Sequence, residues 1–189
     1  MALMYSKGMP VGTPAPAFTL PGVDGQTWSL ESFREAEILV VIFTCNHCPY
    51  AKACEDRLIA LQADYAARGV RLVAINPNDD RKYAEDSFEA MQVRAREKGF
   101  NFPYLRDASQ AVARAYDAVC TPDIFVFDRE RRLAYNGRLD DHWKDASAVT
   151  RQDLRLVLDA LLSGQVLPIE PIASMGCSIK WRAEASSPA

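Results

Sequence analysis

Ile38-Leu39-Val40-Val41-Ile42-Phe43-Thr44-Cys45-Asn46-His47-Cys48-Pro49-Tyr50 is the stretch on which the fold turns. Residues 38–43 are uninterrupted, apolar and largely β-branched, the pattern of a parallel strand covered on both faces. Residues 49–67 then place Cys54, Leu58, Leu61 and Tyr65 at helical spacing, and Gly69 ends the helix. Cys45 and Cys48 therefore sit where a buried strand meets a helix N-terminus. The partial positive charge of a helix end stabilises a thiolate, the reactive form of cysteine. Two intervening residues let the sulfurs close into a disulfide. The pattern predicts thiol–disulfide chemistry, with Cys45 ahead of the helix as the exposed attacking thiol. Cys48, inside the first turn, is then the resolving thiol. His47 between them, protonated or hydrogen-bonded to the Cys45 thiolate, would stabilise the reduced form. The expected Cys45 pKa lies below the free value of about 8.5.

Outward from this core, Val70 to Ile75 forms a second strand, completing a right-handed βαβ unit. Upstream, Asp24-Gly25 lies between Phe18-Thr19-Leu20 and Thr27-Trp28-Ser29-Leu30, which reads as a β-hairpin over about residues 12–30. Downstream, Asn76 to Arg81 reads as a solvated loop. Asp86-Ser87-Phe88-Glu89 resembles a helix start, with the helix running to Lys98 before Gly99. A shorter helix over 109–117, a strand over 124–127, a charged turn over 128–132 and an antiparallel return over 133–139 follow. Residues 150–153 cap a last helix with Leu154, Val157, Leu158, Leu161 and Leu162 on one face. From Gly164 the chain carries three prolines and reads as extended. The order predicts one α/β domain with a mixed sheet over residues 1–163, and a tail over 164–189 packed on or near it.

The 189 residues fit one domain with a sizeable core, and 49% hydrophobic with 25% charged residues is an ordinary globular composition. A net charge of -3 argues against nucleic acid or an anionic membrane as partner. No apolar run reaches membrane-spanning length, and residues 1–10 lack a signal-peptide pattern. Five cysteines, an odd number at uneven spacing, do not make a secreted disulfide framework; a cytoplasmic protein is expected.

This element order, with CxxC at the first strand–helix junction and Thr121-Pro122 before a later strand, resembles the thioredoxin fold. That is a three-layer α/β/α sandwich on a central mixed β-sheet, here with an N-terminal β-hairpin extension. The opening Gly12-x-x-Ala15-Pro16-x-Phe18-x-Leu20 with Asp24-Gly25 is similar to the start of peroxiredoxins of the AhpC/TSA family and of ResA-like thioredoxin-fold reductases. Phe43 to Tyr50, Cys120-Thr121-Pro122-Asp123 and Gly176 to Trp181 together resemble a peroxiredoxin-like thioredoxin subgroup carrying CxxC, over roughly residues 10–182. The resemblance implies a cis Pro122 facing the dithiol. It also implies main-chain groups of Thr121 free to pair with an extended substrate, with Thr44 and Asn46 beside it. It implies no organic cofactor. Its partners are protein or small-molecule disulfides, or hydroperoxides, and a reducing thiol system. Oxidising members, protein disulfide isomerase and DsbA, also carry His before the second Cys.

Two departures stand out. Leu39 occupies the position of the buried acid that thioredoxins place six residues before the first Cys. Peroxiredoxins carry Thr three residues before the peroxidatic Cys, and here that position is Cys45. A thiol peroxidase using Cys48 is the alternative reading, supported by Pro49. A metal- or protein-binding module is another. Only one CxxC exists, so zinc would need Cys120, Cys177 or His142 to converge on it, and no metal site is predicted. Cys120 and Cys177 are candidate additional redox thiols, weighed against simple packing. Cys54 falls on the apolar stripe and reads as core. Asp140-Asp141-His142-Trp143 reads as a polar turn with a half-buried aromatic.

Overall fold

The computed structural model describes residues 2–183. Its strands are β1 (Leu3–Tyr5), β2 (Thr19–Pro21), β3 (Thr27–Ser29), β4 (Ile38–Phe43), β5 (Val70–Asn76), β6 (Tyr104–Arg106), β7 (Cys120–Thr121), β8 (Asp123–Phe127), β9 (Leu133–Asn136) and β10 (Met175–Ser178). Its α-helices are α1 (Pro49–Tyr65), α2 (Phe88–Lys98), α3 (Ala111–Ala115) and α4 (Asp153–Leu162).

The central sheet has the order β6-β5-β4-β8-β9. β4 pairs in parallel with β5 and antiparallel with β8, so the sheet is mixed. All six residues of β4 are buried, as an uninterrupted β-branched run requires when both faces are covered. Ile38, Val40 and Ile42 pack with Leu58 and Leu61 of α1, Met91 of α2 and Leu154 and Val157 of α4. Leu39, Val41 and Phe43 face Phe18, Phe33, Val112 and Tyr116 on the other side. The alternation of β4 side chains thus divides the core into two, with the β2–β3 hairpin and α3 roofing the second face. Gly69, at φ 82°, takes the left-handed conformation that turns the chain from the end of α1 into β5.

One expectation is corrected and another is made more specific. Asn76 to Arg81 is not a solvated loop: Asn76, Asn78 and Asp79 are buried. Asn76 donates to Asp86 and Tyr104, while Asn78 and Asp79 hold the tail. Asn78 Oδ1 accepts from the Lys180 amide at 2.8 Å, and the Asp79 amide donates to the Lys180 carbonyl at 2.9 Å. Gln110 adds a donor to the same carbonyl at 2.9 Å and accepts from the Arg182 amide at 2.8 Å. The second point concerns residues 175–178, expected as part of an extended tail packed on or near the domain, without a strand assigned; residues 184–189 of that tail lie outside the described residues. Residues 175–178 form β10, the middle strand of a separate sheet β1-β10-β7. Cys177 stands opposite Leu3 on one side and Thr121 on the other. Among the described residues no helix is long and apolar enough to cross a membrane.

Candidate active site

Pro49 occupies the first position of α1 and Cys48 is the N-cap, with extended backbone at φ -74°, ψ 123°. A residue before proline is sterically pushed out of the helical region, so the helix cannot start earlier. This corrects the expectation that Cys48 lies inside the first turn. Cys45, Cys48, Ala51 and Cys177 form one buried cluster, with Tyr50 packed against it. Cys45 is only 2% exposed and Cys48 is 0% exposed. The expectation of an exposed Cys45 is therefore corrected as well: β10 pairs with the strand edge that the dithiol faces, and Cys177 completes its apolar surround.

The two thiols share one buried cluster, and each shifts the pKa of the other. Cys45 Sγ lies 3.3 Å from Thr121 Oγ1, and Cys48 Sγ lies 3.1 Å from the Thr121 carbonyl oxygen. The Thr121–Pro122 peptide bond is cis. The hydrogen bond to Cys48, burial and the nearby Asp86 carboxylate all push the Cys45 thiol well above the ordinary value. Cys48 is drawn down by its hydrogen bond from Cys45, against burial, with further donors in Cys177, the Ala51 amide and the Thr121 side chain. The Thr121 carbonyl opposes a Cys48 anion, but several donors outnumber that one acceptor. The shifts thus run opposite to the sequence expectation, Cys45 raised and Cys48 lowered at the helix N-terminus.

Below Cys45 lies a carboxylate that the sequence reading had used as a helix cap. Ser87, not Asp86, caps α2, its side chain accepting from the Ala90 amide at 3.2 Å. Asp86 is fully buried and turns inward. Its Oδ1 accepts from the Asn46 amide at 2.6 Å and Asn76 Nδ2 at 3.2 Å. Its Oδ2 accepts from Asn78 Nδ2 at 2.9 Å and lies 2.5 Å from His47 Nδ1. Burial opposes the charge, yet the donors His47, Asn78 and Asn46 together hold the carboxyl below its ordinary pKa. Tyr83 stacks on His47 with ring centroids 4.7 Å apart, and His47 Nε2 is buried with no hydrogen-bond partner among the described residues. No acid stands at Leu39, and the carboxylate near the dithiol comes from a different segment and lies by Cys45. Asp86 sits in the turn before α2 and acts on Cys45 from there.

The family model described as the AhpC/TSA family matches residues 11–136, which contain the hairpin, the dithiol and the cis proline. The chain belongs to the AhpC/TSA family. Members act on disulfides or peroxides with thiol reductants. This AhpC/TSA chain is 32% identical over 111 residues to a peroxiredoxin-like protein of Mycobacterium tuberculosis, covering 57% of this chain and 63% of that one. It therefore spans under two thirds of that relative's length. A conserved protein from Geobacillus kaustophilus is 45% identical with a TM-score of 0.93, covering 98% of this chain and 99% of that one. A thiol:disulfide interchange protein of the thioredoxin family from Chlorobium tepidum shares the fold at 20% identity and TM-score 0.64, covering 82% and 99%.

The other candidate residues divide clearly in this AhpC/TSA structure. Asn46 spends its side chain internally, donating to the Glu85 carbonyl at 2.6 Å and accepting from Tyr104 Oη at 3.0 Å. Thr44 is buried, its amide donating to the Ile75 carbonyl at 2.9 Å. Both shape the loop rather than offer groups to a substrate. The Thr121 edge, expected to be free, is paired with β10. Cys120 Sγ is directed at the carbonyls of Pro122 and Ser174, at 3.6 and 3.9 Å, and burial raises its pKa. Cys54 is core, its thiol pushed up to about 12 by burial. His142 lies in a turn held by Arg57, which donates to the carbonyls of His142 and Trp143 at 3.0 and 2.7 Å. A cleft of about 150 Å³, lined by Tyr5, Tyr50, Pro122, Trp143 and Met175, opens beside the cis proline. Cys45 Sγ, a His47 ring nitrogen and an Asp86 oxygen lie within 4.8 Å of one another. Three donors fall short of a closed zinc set, and both Asp86 oxygens already accept two hydrogen bonds each.

Proposed function

We propose that this protein is a thiol–disulfide oxidoreductase of redox homeostasis, working through Cys45 and Cys48. The observation that carries the reading is the convergence of both thiols on Thr121, next to cis Pro122, with Cys48 as the N-cap of α1. Cys45 is the nucleophile. Its proton passes to the neighbouring Cys48 anion as Cys45 attacks a disulfide, giving a mixed disulfide and a departing thiolate. Cys48 then gives up the proton and displaces the substrate from Cys45, closing the Cys45–Cys48 bridge. Asp86, held by His47, positions the Cys45 loop and adds to the burial and Cys48 contact that disfavour charge on Cys45. The aromatic cleft beside Pro122 suits an apolar side chain of a disulfide-bearing chain. A second reading, reduction of hydroperoxides, is supported by the anionic character of Cys48 ahead of Pro49. Disulfide reduction and peroxide consumption, measured side by side on Cys45→Ser and Cys48→Ser, separate the two. Loss of disulfide reduction in both variants supports the dithiol. Peroxide consumption that survives Cys45→Ser and not Cys48→Ser supports the peroxidase.

A further inference from the structure

The edge of Thr121 before cis Pro122 is where an extended substrate chain would pair, and in this protein it is filled from within. β10 lies antiparallel on it, with Cys177 opposite Thr121 and Ser178 opposite Cys120. The approach is closer than any other residue would permit: a Cβ on Gly176 would stand 2.0 Å from the Thr121 carbonyl oxygen. The strand is held from its far side by β1, and beyond its end by Asn78, Asp79 and Gln110 on Lys180. This places a cysteine, in strand register with Thr121, inside the apolar cluster of the dithiol. Cys177 and Cys48 each shift the pKa of the other.

Resting on the dithiol chemistry proposed above, we propose that Cys177 is a third exchange thiol, the internal acceptor of the Cys45–Cys48 disulfide. Cys177 Sγ attacks Cys48 Sγ. The Cys45–Cys48 bond breaks as the Cys48–Cys177 bond forms. Cys45 leaves as thiolate and takes up the proton that Cys177 released. Cys177 is oxidised and Cys45 reduced, with no external oxidant beyond the one that made the first bridge. The product leaves Cys45 reduced and ties β10 covalently across the docking edge.

Electrostatics makes the step conditional on oxidation. In the reduced protein burial, with the contact and charge of Cys48, raises the Cys177 pKa to about 12 against attraction from Lys180. Once Cys48 is in a disulfide its negative charge is gone. The attraction from Lys180 then acts on Cys177 without that opposition.

The test oxidises the full chain with one equivalent of diamide, quenches with acid, alkylates free thiols and maps disulfides by mass. Wild type is expected to yield both Cys45–Cys48 and Cys48–Cys177 bridges, in a ratio independent of protein concentration. Cys45→Ser is expected to lose two of its four remaining thiols in an intramolecular Cys48–Cys177 bridge. Cys45→Ala repeats the measurement in case the serine perturbs folding. Wild type that holds only Cys45–Cys48 after equilibration overturns this inference and leaves the dithiol reading intact, whatever the variants do. So do Cys45 variants in which Cys48 forms only intermolecular or mixed disulfides. Wild type forming no bridge at Cys45 overturns the dithiol reading itself, a distinct result.

Discussion

Replacing Gly176 with alanine strikes the contact on which the closed site depends. The added Cβ would lie 2.0 Å from the Thr121 carbonyl oxygen, 2.5 Å from its carbon and 3.1 Å from the Pro122 nitrogen. All three are backbone atoms, so no rotamer change relieves the overlap. β10 must retreat by more than an ångström to reach ordinary contact, and the pairs Cys177–Thr121 and Ser178–Cys120 then break. Each ladder hydrogen bond lost costs about 1 kcal/mol. Uncovering the Cys177 side chain adds about 1–2 kcal/mol. Alanine also lowers the entropy of the unfolded chain, which returns about 0.4–1 kcal/mol. The net destabilisation is about 2–4 kcal/mol, which for a chain of this size lowers Tm by about 5–15 °C. Thermal unfolding of the reduced protein reads that loss. Iodoacetamide labelling should find Cys177 and Cys45 modified faster than in wild type. An unchanged Tm with unchanged labelling would show that β10 does not close the site.

Asp86→Asn leaves one oxygen and one amide group to face four donors. It should cost about 2–4 kcal/mol, and removal of the negative charge should bring the Cys45 pKa down toward the ordinary thiol value. Ultraviolet thiolate titration checks this, and a Cys45 pKa unmoved by the change contradicts the role given to Asp86. Asp123 is buried, and burial pushes its carboxyl up to about 6, against hydrogen bonds from Ser6, Asn136 and Val119. The folded state therefore holds this proton more tightly than the unfolded chain, so stability falls as pH rises from about 4 to about 6 and the cost of roughly 3 kcal/mol is complete above that window. Urea midpoints across the window should slope less in Asp123→Asn than in wild type; equal slopes count against it. With one proton shared by the reduced thiol pair near neutral pH, the midpoint potential should fall by about 30 mV per pH unit, not about 59 mV. Equilibration with dithiothreitol buffers at several pH values measures that slope.

Much of the central sheet could be read in advance because its signals are local. The run from Ile38 to Phe43 carries the period and composition of a covered strand, and Gly69 and Gly99 end their helices at left-handed φ. The dithiol was legible for the same reason, since CxxC sits at a junction that local pattern defines. Pro49 also carried a signal that was not used: a proline at that position forces Cys48 out of the helix and makes it the cap. Asp86 was hidden by redundancy. Asp and Ser stand side by side before α2, either can cap, and only the packing of Asn46, His47, Asn76 and Asn78 decides that Ser87 caps and Asp86 turns inward. β10 was hidden because a strand of four residues containing glycine has no periodicity to detect. Its pairing partners are Leu3 to Tyr5 and Cys120-Thr121, both far away in sequence.

The two features that sequence did not reveal together determine where the site holds its charge. A buried pocket tolerates one anion near a second only if their separation or their donors differ. Asp86 is already ionised beneath the Cys45 loop, with four donors of its own, so a Cys45 thiolate would add a like charge without comparable support. Cys48 is the N-cap of α1, and the Ala51 amide and the thiols of Cys45 and Cys177 all lower its pKa. The anion therefore settles on Cys48, and Cys45 keeps the proton. β10 contributes one of those groups, so its placement bears on charge as well as on access.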